Sequence, residues 1–158
     1  MAMSVDYQSM LHPELIFLDL TDQNEAELFE QVAQRLEKLG YVQNTYADAL
    51  KKREQEFPTG LVTKYLALAL PHTDPEYVDK AFICMVKNAT ALDVLQMGLN
   101  EPMQTQYFFF LGITATKNQV ILLQKFMQLL QRKAFVKGVT TISKADEMFE
   151  FLQQEFGK

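Results

Sequence analysis

Four short apolar runs constrain this chain more than anything else in it: LIFLDL at 15–20, YLALAL at 65–70, AFICMVK at 81–87 and TQYFFFLGIT at 105–114. The first fits a strand. The other three are apolar on both faces, so they read as interior strands that need helices on two sides. None approaches the roughly 18 apolar residues that a membrane-spanning helix requires.

The intervening segments supply those helices. TDQNEAELFEQVAQRLEKLGY, starting at Thr21, predicts a helix with Asp22 and Glu25 at capping-box spacing. Its buried face would carry Phe29, Val32, Ala33 and Leu36, and Gly40 suits a left-handed stop. A second helix is expected from about Asn44 through Glu54, ended by Pro58 and Gly60. A long amphipathic helix begins near Lys117, with Val120, Leu123, Met127 and Leu130 as its buried stripe. SKADEMFEFLQQEF reads as a last helix, with Ser143 as N-cap. The expected fold is α/β: a mixed sheet sandwiched between helices, in one domain over 1–158.

Charge and composition narrow the function. With 48% hydrophobic residues and a net charge of −5, the chain reads as globular and gives no basic surface for nucleic acid. The one basic knot, Lys51-Lys52-Arg53, fits a solvated helix face. A single cysteine, Cys84, excludes an intramolecular disulfide, and with two distant histidines it makes no metal-ligand pattern. MAMSVDYQSM lacks the basic and apolar regions of a signal peptide. The expectation is a soluble, cytoplasmic protein without metal, cofactor or membrane insertion.

The two histidines differ in setting. His12, beside Pro13, reads as an ordinary polar residue, whereas His72 follows YLALAL and a proline, at the mouth of a strand. Functional groups gather outside the carboxyl ends of strands in open α/β sheets. An imidazole there can be a base, a metal ligand or a nucleophile. Metal binding lacks partners, no G-x-S-x-G elbow occurs, and Cys84 lies inside an apolar strand. A histidine acting alone with an anion-handling neighbour suits phosphoryl transfer through a phosphohistidine. KKREQEFPTGL supplies such a neighbour: Arg53 at a helix end, then Thr59 and Gly60 in a turn. The plain alternative is that Arg53 and Glu54 form a solvated ion pair.

The pattern RE at 53–54, FPTGL at 57–61 and ALPHT at 69–73 resembles the mannitol/fructose class of enzyme IIA. These are components of the bacterial phosphoenolpyruvate-dependent sugar phosphotransferase system. The resemblance implies that His72 is phosphorylated at Nε2, taking phosphate from the carrier protein HPr and passing it to a cysteine of enzyme IIB. Through enzyme IIB it would serve the membrane component IIC. It implies active-site roles for Arg53 and Thr59. Mannitol and fructose members carry a second histidine at the start of the late helix, where this chain has Gln119. Gln119 and the EFPTG turn look more like the galactitol-type subgroup, with the amide as a phosphate donor. The alternatives are a regulatory module of the same fold, read by a protein partner, and a binding domain without transfer chemistry. Phe57, Tyr65 and Tyr77 could border a docking patch or fill the core.

Overall fold

Side chains of the central strands alternate between two cores. Ile83, Met85, Phe109 and Leu111 point into one, and Phe82, Cys84, Val86, Phe108 and Phe110 into the other. The period of two in a strand makes this unavoidable once both faces are covered. The computed structural model describes residues 6–158. In chain order its elements are α1 (Tyr7–Met10), β1 (Leu11–Leu20), α2 (Glu25–Lys38), α3 (Tyr46–Glu56), β2 (Gly60–Val62) and β3 (Ala67–Ala69). A 3-10 turn (Pro75–Tyr77) leads to β4 (Phe82–Leu95), β5 (Pro102–Gly112), α4 (Lys117–Leu130), α5 (Lys133–Thr141) and α6 (Ala145–Phe156).

The sheet order is β1-β4-β5-β3-β2. β1 runs parallel to β4 and β3 parallel to β5, while β4–β5 and β2–β3 are antiparallel. The sheet is thus mixed, and the runs read as interior strands do lie inside it. One core packs α2 and α3 on the sheet, and the other packs α4, α5 and α6. No helix among the described residues is long and apolar enough to cross a membrane.

Several local expectations need correction. α2 is capped by Asn24, whose side chain accepts from the Glu27 N–H, and Asp22 stands outside the helix. Ser143 is not the cap of α6; Lys144 holds that position, with no side-chain cap bond. YLALAL yields only the three residues of β3, and the segment read as a turn forms the edge strand β2. Gly60 belongs there because a Cβ would meet the Leu95 carbonyl oxygen at 2.6 Å. Gly40 does take a positive φ, 87°, past the end of α2.

The stripe of α4 is as expected at Leu130, which is buried, and at Leu123, half-buried against the core, but differs elsewhere. Val120 and Met127 are exposed, at 59% and 40%, and the buried residues are Leu122, Phe126, Leu129 and Leu130. Both sets fit a helical period, and packing chose the one containing Phe126. Its ring lies 5.1 Å from Phe109 and 5.2 Å from Phe156. Phe126→Ala should therefore cost about 3–5 kcal/mol of stability, whereas Val120→Ala should stay within about 0.5 kcal/mol. Urea unfolding of the two variants checks this, and equal losses would contradict the assignment of faces.

Candidate active site

His72 lies three residues beyond the end of β3. The chain still runs beside β5 there, because the Leu111 N–H donates to the Pro71 carbonyl at 2.9 Å. Leu68 and Leu70 face the core beneath α4, and the same alternation turns His72 toward that side. The first turn of α4 meets it. Gln119 Nε2 is 3.1 Å from His72 Nε2. On the other side of the ring, His72 Nδ1 is 2.8 Å from the Leu70 carbonyl oxygen.

These contacts define the tautomer. A carbonyl only accepts, so Nδ1 carries the proton and donates it to Leu70. Nε2 then keeps its lone pair and accepts from the Gln119 amide. Burial pushes the His72 pKa below the usual histidine value. The Leu70 bond opposes that shift, while the charge of Arg53 adds to it and Asp74 works against it. A neutral ring with a lone pair at Nε2 is the nucleophilic form.

Arg53 stands in the last turn of α3, as expected from the sequence. Its Nη1 donates to Asp74 Oδ1 at 3.2 Å, and its guanidinium lies 5.1 Å from the Phe57 ring centre. Its Nε is buried without a partner among the described residues. Arg53, Lys52, Glu56, Thr73, Asp74 and Tyr77 line a cleft of about 190 Å³.

The Arg53–Glu54 ion pair is not formed. Successive helix residues point about 100° apart, and Glu54 turns inward, 5% exposed. It accepts from the Thr59 N–H at 2.8 Å and from the Thr59 hydroxyl at 2.9 Å. Burial raises its carboxyl above the usual range, against the pull of those bonds and of Arg53. Thr59 therefore has its hydroxyl proton committed to Glu54. Its carbonyl accepts from the Leu70 N–H at 3.2 Å, so it reaches His72 through the backbone. A second carboxyl, Glu25, is pushed up to about 7 by burial first and by the charge of Glu54 second.

Of the residues expected from the sequence, the structure joins Gln119 to His72 directly and Arg53 to the His72 segment through Asp74. Three contributors were missed. Asp74 was visible two residues after His72; Glu54 was visible but assigned to solvent; the Leu70 carbonyl is backbone and leaves no mark in side-chain chemistry. His12 sits apart, its Nε2 3.3 Å from the Ala81 carbonyl. Cys84 is wholly buried. Phe57 and Tyr65 are exposed and Tyr77 is half-buried.

The exposed side of α4 adjoins the ring. Val120, Leu123, Gln124, Met127 and Gln128 line a shallow groove there, beginning one residue after Gln119.

The chain is similar to the galactitol-specific EIIA component of the phosphotransferase system from Escherichia coli K12, with 23% identity over 117 residues. That match spans 74% of this chain and 78% of the relative. Among solved structures, the fold is shared with the nitrogen regulatory protein IIA from Neisseria meningitidis. The TM-score is 0.73 at 22% identity, covering 92% of this chain and 97% of that one. It is shared too with the mannitol enzyme IIA of Escherichia coli, seen in complex with phosphorylated enzyme IIB. There the TM-score is 0.70 at 19% identity, over 89% of this chain and 95% of that one. The family described as phosphoenolpyruvate-dependent sugar phosphotransferase system, EIIA 2, matches residues 9–155. With nearly the whole described chain inside that match, the protein belongs to this family of phosphotransferase components.

Proposed function

We propose that the protein is a phosphocarrier that takes a phosphoryl group from phosphorylated HPr on His72 Nε2. It then passes the group to a cysteine of a galactitol-type enzyme IIB. The observation that carries this reading is the ring itself, with its proton held by Leu70 and its lone pair facing Gln119.

The transfer balances simply. The Nε2 lone pair forms the new N–P bond while the bond from phosphorus to the donor's imidazole nitrogen breaks. Nδ1 keeps its proton on the Leu70 carbonyl throughout. In the second transfer a thiolate of enzyme IIB attacks phosphorus, and the N–P electrons return to Nε2. The chemistry needs charge neutralisation and aim more than bond-making groups. Arg53 supplies a guanidinium whose Nε has no competing partner among the described residues, and the N-terminal end of α4 adds the positive end of a helix dipole. Gln119 caps Nε2 in the resting state; once phosphate is present, its amide donates to a phosphate oxygen, a stronger charge-assisted bond.

Enzyme IIB would approach across the exposed face of α4. Val120, Leu123 and Met127 continue the helix from Gln119 over roughly 12 Å at 1.5 Å per residue, and no charged side chain lines that groove. A partner seated on it has its reacting sulfur beside Nε2.

The test uses phosphoenolpyruvate, enzyme I and HPr to load the protein, then purified enzyme IIB domains of galactitol and mannitol type. Faster phosphate loss to the galactitol-type domain is expected. Equal or faster loss to the mannitol-type domain overturns the subgroup. Stable phosphorylation with no loss to either would point to the regulatory role instead.

A further inference from the structure

A chain of hydrogen bonds runs from Glu54 to the imidazole without reaching solvent. Glu54 accepts both donors of Thr59, at 2.8 and 2.9 Å. The Thr59 carbonyl accepts from Leu70 at 3.2 Å, and the Leu70 carbonyl accepts from His72 at 2.8 Å. Glu54, Thr59, Leu70 and His72 are all at most 5% exposed. Water does not compete for these links, and polar groups so enclosed act as a unit.

We propose that Glu54 is the positioning residue of His72, holding the angle and tautomer of the imidazole through Thr59 and Leu70. That phosphate lands on this ring rests on the phosphocarrier reading above; the positioning does not.

The geometry explains why a carboxylate stands here. An ionised carboxyl is an acceptor only, so it can satisfy the Thr59 amide and hydroxyl at once. Glutamine offers one oxygen, so only one Thr59 donor keeps an acceptor and the hydroxyl must turn round to accept from the new amide, without a charge-assisted bond. The β2–β3 register pairs Gly60 with Ala69, and the Thr59–Leu70 bond extends that ladder by one pair. Glu54 thus ties the last turn of α3 to the ladder at the point where the His72 segment leaves it. Its neighbour Arg53 bonds Asp74 from the same turn. One helical turn therefore grips the chain two residues before His72 and two residues after it, while Leu111 holds Pro71 between them. Burying a carboxylate is costly unless it is well bonded, and here the two Thr59 donors supply those bonds.

Ring nitrogen spectra of uniformly labelled protein test the proposal directly. The chain has two histidines, so His12 serves as an internal control. In the wild type, His72 should show the Nδ1-protonated form. In Glu54→Gln the spectrum should show mixed tautomers and an altered His72 titration midpoint. The amide spectrum should stay native, and phosphate uptake should slow by roughly tenfold or more, the size expected for losing one charge-assisted bond. Thr59→Val should shift the ring in the same direction, and Thr59→Ser should restore it. A folded Glu54→Gln protein with an unchanged His72 ring spectrum and midpoint overturns the proposal. If Glu54→Gln does not fold, Thr59→Val decides in the same way, against Thr59→Ser. Failure of the phosphocarrier reading looks different: no phosphate uptake by the wild type, with ring spectra that still respond to Glu54.

Discussion

His72→Ala should abolish phosphate uptake from phosphorylated HPr, while His12→Ala should take up phosphate as the wild type does. In the proposed transfer the nucleophile is a single nitrogen, His72 Nε2, with no second nucleophile beside it among the described residues. Cys84 is sealed in the core, with burial pushing its thiol far up, and His12 hydrogen-bonds the Ala81 carbonyl. The label should be acid-labile and alkali-stable, as a phosphohistidine is. Label retained in His72→Ala would sink the assignment. The pH profile carries a second expectation. Only the neutral ring has a free lone pair, and the His72 pKa lies below the ordinary value of about 6.5, through burial first. As the folded value is lowered, the neutral form persists to more acid pH than in a free histidine. Uptake measured with a donor whose own rate is known should thus have its acid midpoint below that of an ordinary histidine, about 6.5. A midpoint at or above about 6.5 would place the acceptor elsewhere.

Arg53→Ala should slow phosphate transfer by roughly 10²-fold, the scale for losing one preorganised charge donor at a transition state. Its folding stability should change little, since the Arg53–Asp74 pair is partly exposed and such pairs are worth about 0–1 kcal/mol. Arg53→Lys should recover part of the rate. An ammonium keeps the charge but loses the planar fork, and it stacks less well on Phe57. Rapid-quench transfer kinetics beside a urea unfolding curve separate the two effects. Unchanged kinetics in both variants would return Arg53 to a surface ion pair.

Much of this molecule was legible in one sequence because the informative features are local. Apolar runs too short for a membrane and too apolar for a half-exposed sheet specified covered interior strands, and Gly40 marked a helix end by its tolerance of positive φ. The position of His72 after a strand and a proline marked the proposed phosphate acceptor, and Gln119, which the fold brings against that ring, stood out as an amide in place of an imidazole. Those readings depend on residue type and spacing, which a sequence carries in full.

What tertiary structure alone decided is which of several locally equivalent choices was taken. α4 has two apolar stripes at helical spacing, and only the Phe109 and Phe156 rings select the one with Phe126. Glu54 and Arg53 are adjacent charges on one helix turn, and nothing local says that one faces Thr59 in the interior and the other faces Asp74 in the cleft. The acceptor that sets the His72 tautomer is the Leu70 carbonyl, a group every residue possesses. Its availability depends on where the β2–β3 ladder ends and which partners the neighbouring amides have taken. Periodicity and residue type name the candidates, but the choice among them is made by contacts between segments far apart in the chain, and those exist only once it has folded.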